Sequence, residues 1–513
     1  MNKQLPERPN LDQLKKQAKD LLNGILAQSA DAIARVPKEE LAGFALADAQ
    51  RIIAREYGFA SWTKLKDRVE GGGSVSEKGR ELVRAALRGQ QDVVEAILRE
   101  YPRLSRGSIH TVTALGDPDG VRDWLRHDPK LVTARSSDGK WSPLLFLCVG
   151  RVGGGDAARA ECAKLLLAAG ANANDYWIDD SFPDAKLPAL YGATGVNNYP
   201  QLARVLLAAG ASPNDGESIY HAAENNHVDC LAALLEAGAD LGQRNEFWKN
   251  TPLYFLLGHV PTTPRGQPAR AGIVWLLEHG ANPNVPAYEV QEVPLFAAIR
   301  NNWDPGLIEI FLRHGAKPDA RRKDGLSLMG LAVRHGRDDV VALLAKHGAP
   351  REVTPLDEFL GALTRGDAAQ AQSLLAAHPA WRQEQTEAIT QIVTDGARRG
   401  KIGPLDAAAD LGLSPSAVDK NNETPLHHAA LHGQIVAVRR LIALGAPINT
   451  REKTYQAPPL GWCVHGSIHF RTAGGDYPAV AEALFAAGAE SIPIERDQLS
   501  PEMLAVFDRH AKR

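Results

Sequence analysis

One apolar rhythm repeats along this chain. A short segment with small residues at its centre is followed, about ten residues on, by a longer amphipathic segment that ends in a leucine pair and Gly-Ala. The clearest copy is "TPLHHAALHG" (Thr424–Gly433), followed by "VRRLIALGAPINTRE". Its apolar spacing is that of helices with one buried face, not the strict alternation of strands. The Gly-Ala ending recurs at Gly170, Gly210, Gly238, Gly280, Gly315, Gly348, Gly445 and Gly488, at intervals of 28 to 43 residues with one gap of 97. That gap is about three units of ~33 residues. "LLAAHPAWR" from Leu374 and "AAADLGLSPSAVD" from Ala407 occupy the places of two degenerate copies. Upstream, "AILREYPRL" from Ala96 and "WLRHDPKLV" from Trp124 fit as two more, with proline in place of the Gly-Ala turn. The pattern predicts about twelve units between roughly Glu77 and Ile492.

Each unit makes physical sense as helix, turn, helix and loop. Thr-Pro places a capping hydroxyl before a proline in the first helical turn, where the missing N–H costs nothing. Ala-Ala lets neighbouring helices approach, and the leucine pair supplies the apolar knob of the second helix. The glycine ends that helix in the left-handed conformation. No unit buries its apolar face alone, so stacking is obligatory.

These recurring elements resemble the ankyrin repeat family. The resemblance implies an all-α, ankyrin-type helical solenoid with short β-hairpin fingers, used to bind other proteins through a concave groove. It also implies that His427, in Thr-Pro-Leu-His, caps its helix through side-chain hydrogen bonds, with His110 in a weaker copy of that position. Residues 1–70 look like a small helical module of the kind that precedes bacterial ankyrin arrays. There Asn10 and Gln13 suggest a capping box, and "ALADAQRIIAREYGFASWTKLKDRV" reads as a helix to about Tyr57, a turn, and a helix opened by Ser61. The Gly-rich stretch 71–76 reads as a linker, 77–492 as the array, and 493–513 as a C-terminal cap.

Composition changes this picture little. Lys and Arg number 58 against 61 Asp and Glu, so no global field favours nucleic acid or an anionic membrane. The N-terminus lacks the apolar core of a signal peptide, and no run of ~18 apolar residues follows; the expected compartment is the cytoplasm. Cys148, Cys162, Cys230 and Cys463 stand singly, which argues for buried thiols and against a metal site. No cofactor is expected. No Gly-x-Ser-x-Gly, His-Glu-x-x-His or Cys-His signature occurs, so the balance leans away from an enzyme.

Three units are extended between their two helices: "VGRVGGGDAARAE" from Val149, "LGHVPTTPRGQPARAG" from Leu257 and "HGSIHFRTAGGDYP" from His465. Insertions of this kind gather on one face, often the binding face. Their glycines lack the strand and Lys-Ser/Thr of a phosphate loop. The finger segments interleave acids with Tyr176, Trp177, Phe182, Phe247, Trp248 and Tyr288, a surface suited to sugars, cations or a basic peptide; these rings also suit packing of finger on finger. His428 and His221 occupy a first-helix slot that is apolar or aromatic in most copies, as at Tyr191, and both core and binding roles stay open.

The two residues after each Ala-Ala equivalent give a groove lining under the resemblance. It includes His259, Arg300, Arg334, His335, Arg365, Arg398, Arg399, His432 and His465. Two functions follow. The leading one is an interaction scaffold for a protein partner, with an acidic surface as the complement of these cations. The alternative is a small-molecule-binding protein or enzyme, in which Glu224, His259 and Arg300 converge on one ligand and Asp179 and Asp180 reach over from a finger. A carboxylate, an imidazole and a guanidinium suffice for acid–base chemistry and anion binding.

Overall fold

The computed structural model describes residues 3 and 11–510, except 42, 63–64, 66–72, 138, 181, 246, 260, 262–264, 289 and 415–416. Asn10 and most of the helix expected after Ser61 therefore lie outside the described residues. So do residues 71–72 of the expected linker. The helix of the first pair begins at Gly73, so the chain is already helical within the stretch 71–76. Apart from one two-stranded hairpin and two isolated bridges, the described residues contain helices and turns only. No described helix is long and apolar enough to cross a membrane.

The chain divides into two compact units, residues 1–218 with 229–238, and residues 219–228 with 239–513. In the first, helices Leu11–Leu26 and Leu46–Glu56 close a small core of Leu14, Leu21, Ile52, Ile53 and Leu65. Helix pairs follow: Gly73–Arg88 with Gln91–Glu100, Ile109–Ala114 with Pro118–His127, and Pro143–Val149 with Asp156–Ala168. In the fourth pair the helix Ala189–Tyr191 runs into a π-turn, Gly192–Val196, before Pro200–Ala208. The hairpin joins Tyr176–Asp179 to Phe182–Pro188 in antiparallel register, with Trp177 opposite Leu187.

In the second unit the first helices of successive pairs stack one on the next: Pro252–Leu256, Pro294–Arg300, Leu328–Arg334, Pro355–Arg365, Thr386–Arg398, Pro425–Leu431 and Pro459–His465. The sequence explains how each starts. Thr251, Ser327, Thr354 and Thr424 accept the N–H three residues on, satisfying an otherwise orphaned donor. Close approach explains the small residues at their centres: a Cβ on Gly361 would lie 2.4 Å from the Val333 carbonyl oxygen. The second helices end as the Gly-Ala pattern predicts, with Gly280, Gly315, Gly348, Gly445 and Gly488 at φ of 82–94°. The last pair is capped by the helix Pro501–His510, whose Phe507 ring meets Phe485 edge-on at 5.3 Å.

His427 has the capping role that the resemblance implied. It is fully buried; its Nδ1 accepts the Thr424 N–H at 3.1 Å, and its Nε2 faces the Ala457 carbonyl at 3.2 Å. That network assigns the proton to Nε2. All four cysteines are buried and free.

Candidate functional site

The residues with chemistry to offer sit at the C-terminal ends of the stacked first helices of the second unit. Glu224, on the helix Ser218–Glu224, is 8% exposed and lies between two imidazoles. His221, one helical turn back, places Nδ1 2.6 Å from Oε2, and since a carboxylate only accepts, the imidazole donates. His259 comes from the insertion that follows the helix Pro252–Leu256 and places Nε2 3.0 Å from Oε1. That nitrogen is buried and meets Glu224 with poor hydrogen-bond geometry. Phe255 meets both rings edge-on, at 5.5 and 5.7 Å. The exposed Arg265 brings Nη1 to 3.9 Å from Oε1. Burial pushes the Glu224 carboxyl up, and the contacts with His221 and His259 more than reverse it, holding it well below the usual carboxylate range.

Arg300 is engaged elsewhere. Its Nη1 lies 2.7 Å from Oε1 of the buried Glu292, and its Nη2 donates to the Tyr254 hydroxyl at 3.3 Å. Tyr254 in turn donates to Glu292 at 2.7 Å, and Arg322 adds a second guanidinium at 3.4 Å. The carboxylate beside the Tyr254 hydroxyl and its burial both push the phenol up, burial most. Glu224 and His259 are thus brought together, while Arg300 closes a second network around Glu292. Asp179 and Asp180 belong to the first unit, where both are exposed and Asp180 pairs with Lys140 at 2.7 Å.

Further along the stack the expected cations are mostly neutralised by acids. Arg334 donates to the buried Asp357 at 2.5 Å, and Arg398 to Asp395 at 2.7 Å. Arg365 is exposed and, among the described residues, donates only to the neutral Gln370. Among the described residues the half-buried Arg399 side chain has neither an ion pair nor a hydrogen bond; burial holds its pKa below the usual value, Asp395 opposes, and Arg398 and Arg337 add to the lowering. Burial also pushes His335 down to about 4, against Asp395 and with Arg399, Arg300 and Arg337. His432 falls to about 4 for the same reason, helped by Arg398 and His428, so both rings are neutral at pH 7. His432 Nδ1 lies 3.0 Å from Thr472 Oγ1. His428 sits 3.1 Å from Glu423 and edge-on to Trp462. His465 lies against His469 and Phe470.

The aromatic residues divide. Trp177 is 8% exposed, held between Trp141 at 5.1 Å and Tyr191 at 5.6 Å, so this ring is core of the first unit and not a recognition surface. Phe247, Trp248 and Tyr288, on two successive fingers of the second unit, are 52, 47 and 48% exposed. Tyr288 holds φ at +55°, uncommon for a bulky residue. Sequence reasoning missed His469, Glu292, Tyr254 and Arg265. Tyr254 and Glu292 carry no local signal because the bond between them spans 38 residues. His469 lay in a quoted insertion, one helical turn after His465, and that spacing was the available signal.

The ankyrin repeat family model matches this chain at residues 215–246 and again at 421–450. The B-cell lymphoma 3 protein homolog of Mus musculus is 31% identical over 163 residues, 30% of this chain and 34% of that protein. The SH3 and multiple ankyrin repeat domains protein 2 of Homo sapiens is 26% identical over 192 residues, 36% of this chain and 10% of that protein. The chain thus spans about a third or less of these relatives. The crystal structure of the human ASB11 ankyrin repeat domain is 22% identical, covers 47% of this chain and 98% of its own, and superposes with a TM-score of 0.36.

Proposed function

With the chain an ankyrin-repeat protein, we propose that it is an interaction scaffold that holds a protein partner on the fingers and first-helix ends of its second unit. The observation that carries this reading is the set of rings on successive fingers. Phe247, Trp248 and Tyr288 leave about half their surface in water, and aromatic anchors of this kind dominate protein interfaces. Arg365 and Arg399, without a carboxylate partner among the described residues, support a partner with acidic side chains. The test is affinity purification of the full chain beside the Phe247→Ser, Trp248→Ser, Tyr288→Ser triple variant. One stoichiometric protein retained by the wild type and lost by the triple variant, at equal melting temperature, supports the reading. An identical set of bound proteins removes it.

One observation favours the small-molecule alternative: a buried carboxylate shared by two imidazoles, with a guanidinium at its rim. Such a set can move a proton or orient an anion. Mass spectrometry of metabolites released from the purified protein tests it. A compound present in wild type and absent from Glu224→Gln supports a ligand site there; no compound in either leaves the triad a structural clasp.

A further inference from the structure

The insertion after the helix Pro459–His465 is built to hold two imidazoles side by side. The helix runs into a π-turn, Gly466–Phe470, so His465 and His469 lie one turn apart on the same face. Both are exposed, and their ring centres are 4.5 Å apart with planes inclined at 42°. The turn is fixed from several sides. A Cβ on Gly466 would lie 2.0 Å from the Leu431 carbonyl oxygen, so only glycine allows this approach to the preceding helix. The Tyr477 hydroxyl donates to that same carbonyl at 3.2 Å and accepts the Thr472 N–H at 3.0 Å, pinning the far end of the loop. Arg471 closes the turn with φ at +44°, a left-handed conformation that a long side chain adopts only when its surroundings hold it there.

Neither imidazole has a hydrogen bond or an ion pair among the described residues; each touches the other ring, and His465 also touches Phe470. The turn therefore presents two exposed imidazoles at a fixed separation. We propose that His465 and His469 together bind a single divalent late first-row transition-metal ion, Cu2+ or Zn2+, in an open site completed by water. The spacing fits. With metal–nitrogen bonds of about 2.1 Å, an imidazole centre lies about 3.2 Å from its ion, so two such rings at angles between a right angle and the tetrahedral angle stand about 4.5–5.2 Å apart. Paired histidines at i and i+4 on one helical face are an established way of presenting two nitrogens to zinc. No set of three His, Cys, Asp or Glu among the described residues is placed to hold a metal, so the protein supplies two donors and binds the ion reversibly. Such a site differs from a structural zinc, and it is independent of the scaffold reading.

The experiment is titration of the untagged full chain with Cu2+ alone, and separately with Zn2+, followed by calorimetry and, for copper, by electron paramagnetic resonance. Wild type should take up one tightest ion with two nitrogens in its copper spectrum. His465→Gln and His469→Gln should each weaken that ion at least about ten-fold, the lower bound of what even an outer-sphere change costs. His314→Gln, at an isolated exposed histidine, should leave it unchanged. Both rings are exposed, so melting temperatures should not move. Wild-type affinity in either variant, or a single-nitrogen copper spectrum in wild type, would overturn the proposal.

Discussion

Replacing Glu224 by alanine tests the physical account of the triad directly. The side chain is almost wholly buried, and it takes a short hydrogen bond from His221 at 2.6 Å and a second, misaligned contact from His259 at 3.0 Å. A hydrogen bond to a charged group contributes about 1.5–3 kcal/mol. The second contact is misaligned and adds less, so the loss should be about 2–4 kcal/mol, overlapping the lower part of the range of about 3–5 kcal/mol for breaking a buried charged pair. Because His221 and His259 come from successive helix pairs, the loss should be local. Hydrogen exchange read by mass spectrometry should show reduced protection in 218–224 and 252–256, and little change in 425–443. Glu278→Ala, at an exposed position in the same unit, should stay within about 0.5 kcal/mol of wild type.

The pH dependence gives the same experiment a second edge. A carboxyl whose folded pKa is depressed binds its proton more weakly in the folded chain than in the unfolded one. The stability it adds is complete above the unfolded value of about 4.3, and it is lost only as pH falls through the lower folded value. The gap between wild type and Glu224→Ala should therefore not shrink between pH 7 and 5, and should close well below pH 4.3. A gap that closes between pH 6 and 4.5, or a variant indistinguishable from Glu278→Ala, would refute the reasoning.

Three further outcomes follow from the packing. Trp177→Ala should cost the first unit about 3–5 kcal/mol as the loss of a buried ring, whereas Trp248→Ala should leave denaturant midpoints unchanged and act on partner binding alone. Gly361→Ala should destabilise the second unit by about 1–3 kcal/mol through overpacking, because its Cβ would meet the Val333 carbonyl; an unchanged melting temperature would show that these helices are not in close contact. His335, His427 and His432, each held down to about 4 with burial as the largest cause, contribute stability that is complete above about pH 6.5 and is lost as pH falls toward 4. Melting curves of the triple Gln variant should accordingly flatten in that window.

How much of this was legible in the chain depended on distance along it. The helix pairs, their caps and their glycine endings follow from residues within one unit, and Thr424, His427 and Gly445 show it: each makes its defining contact within a few residues. The partnership of Glu224 and His259 also emerged, because residues at the ends of the first helices of stacked units become neighbours. What failed was pairing between unlike positions. Arg300 looks like a ligand group in the sequence because its acid, Glu292, sits in the finger ahead of the helix and its phenol, Tyr254, lies 46 residues away. Trp177 stands in the sequence as a candidate recognition ring with packing equally open, because nothing local distinguishes a ring on a finger tip from one folded against Trp141.

The same long-range pairing changes what the row of cations can do. Read from sequence, Arg334, Arg365, Arg398 and Arg399 make a strip of four positive charges, with Arg300 beside it. In the folded chain Glu292, Asp357 and Asp395 each take one of them, and His335 and His432 are neutral at pH 7. Arg365 and Arg399 remain. Two cations at the surface cannot supply the steering that a continuous strip would, since exposed charges are screened within about 10 Å at moderate salt. They can fix where an acidic side chain of a partner sits, because a half-buried guanidinium such as Arg399 keeps its field close. If the scaffold reading holds, binding should therefore depend weakly on salt and strongly on the finger rings. Arg399→Glu should shift the partner's register or raise its off-rate, more than it slows association. An association rate that falls steeply with ionic strength would mean that the acids seen here release their arginines when the partner arrives.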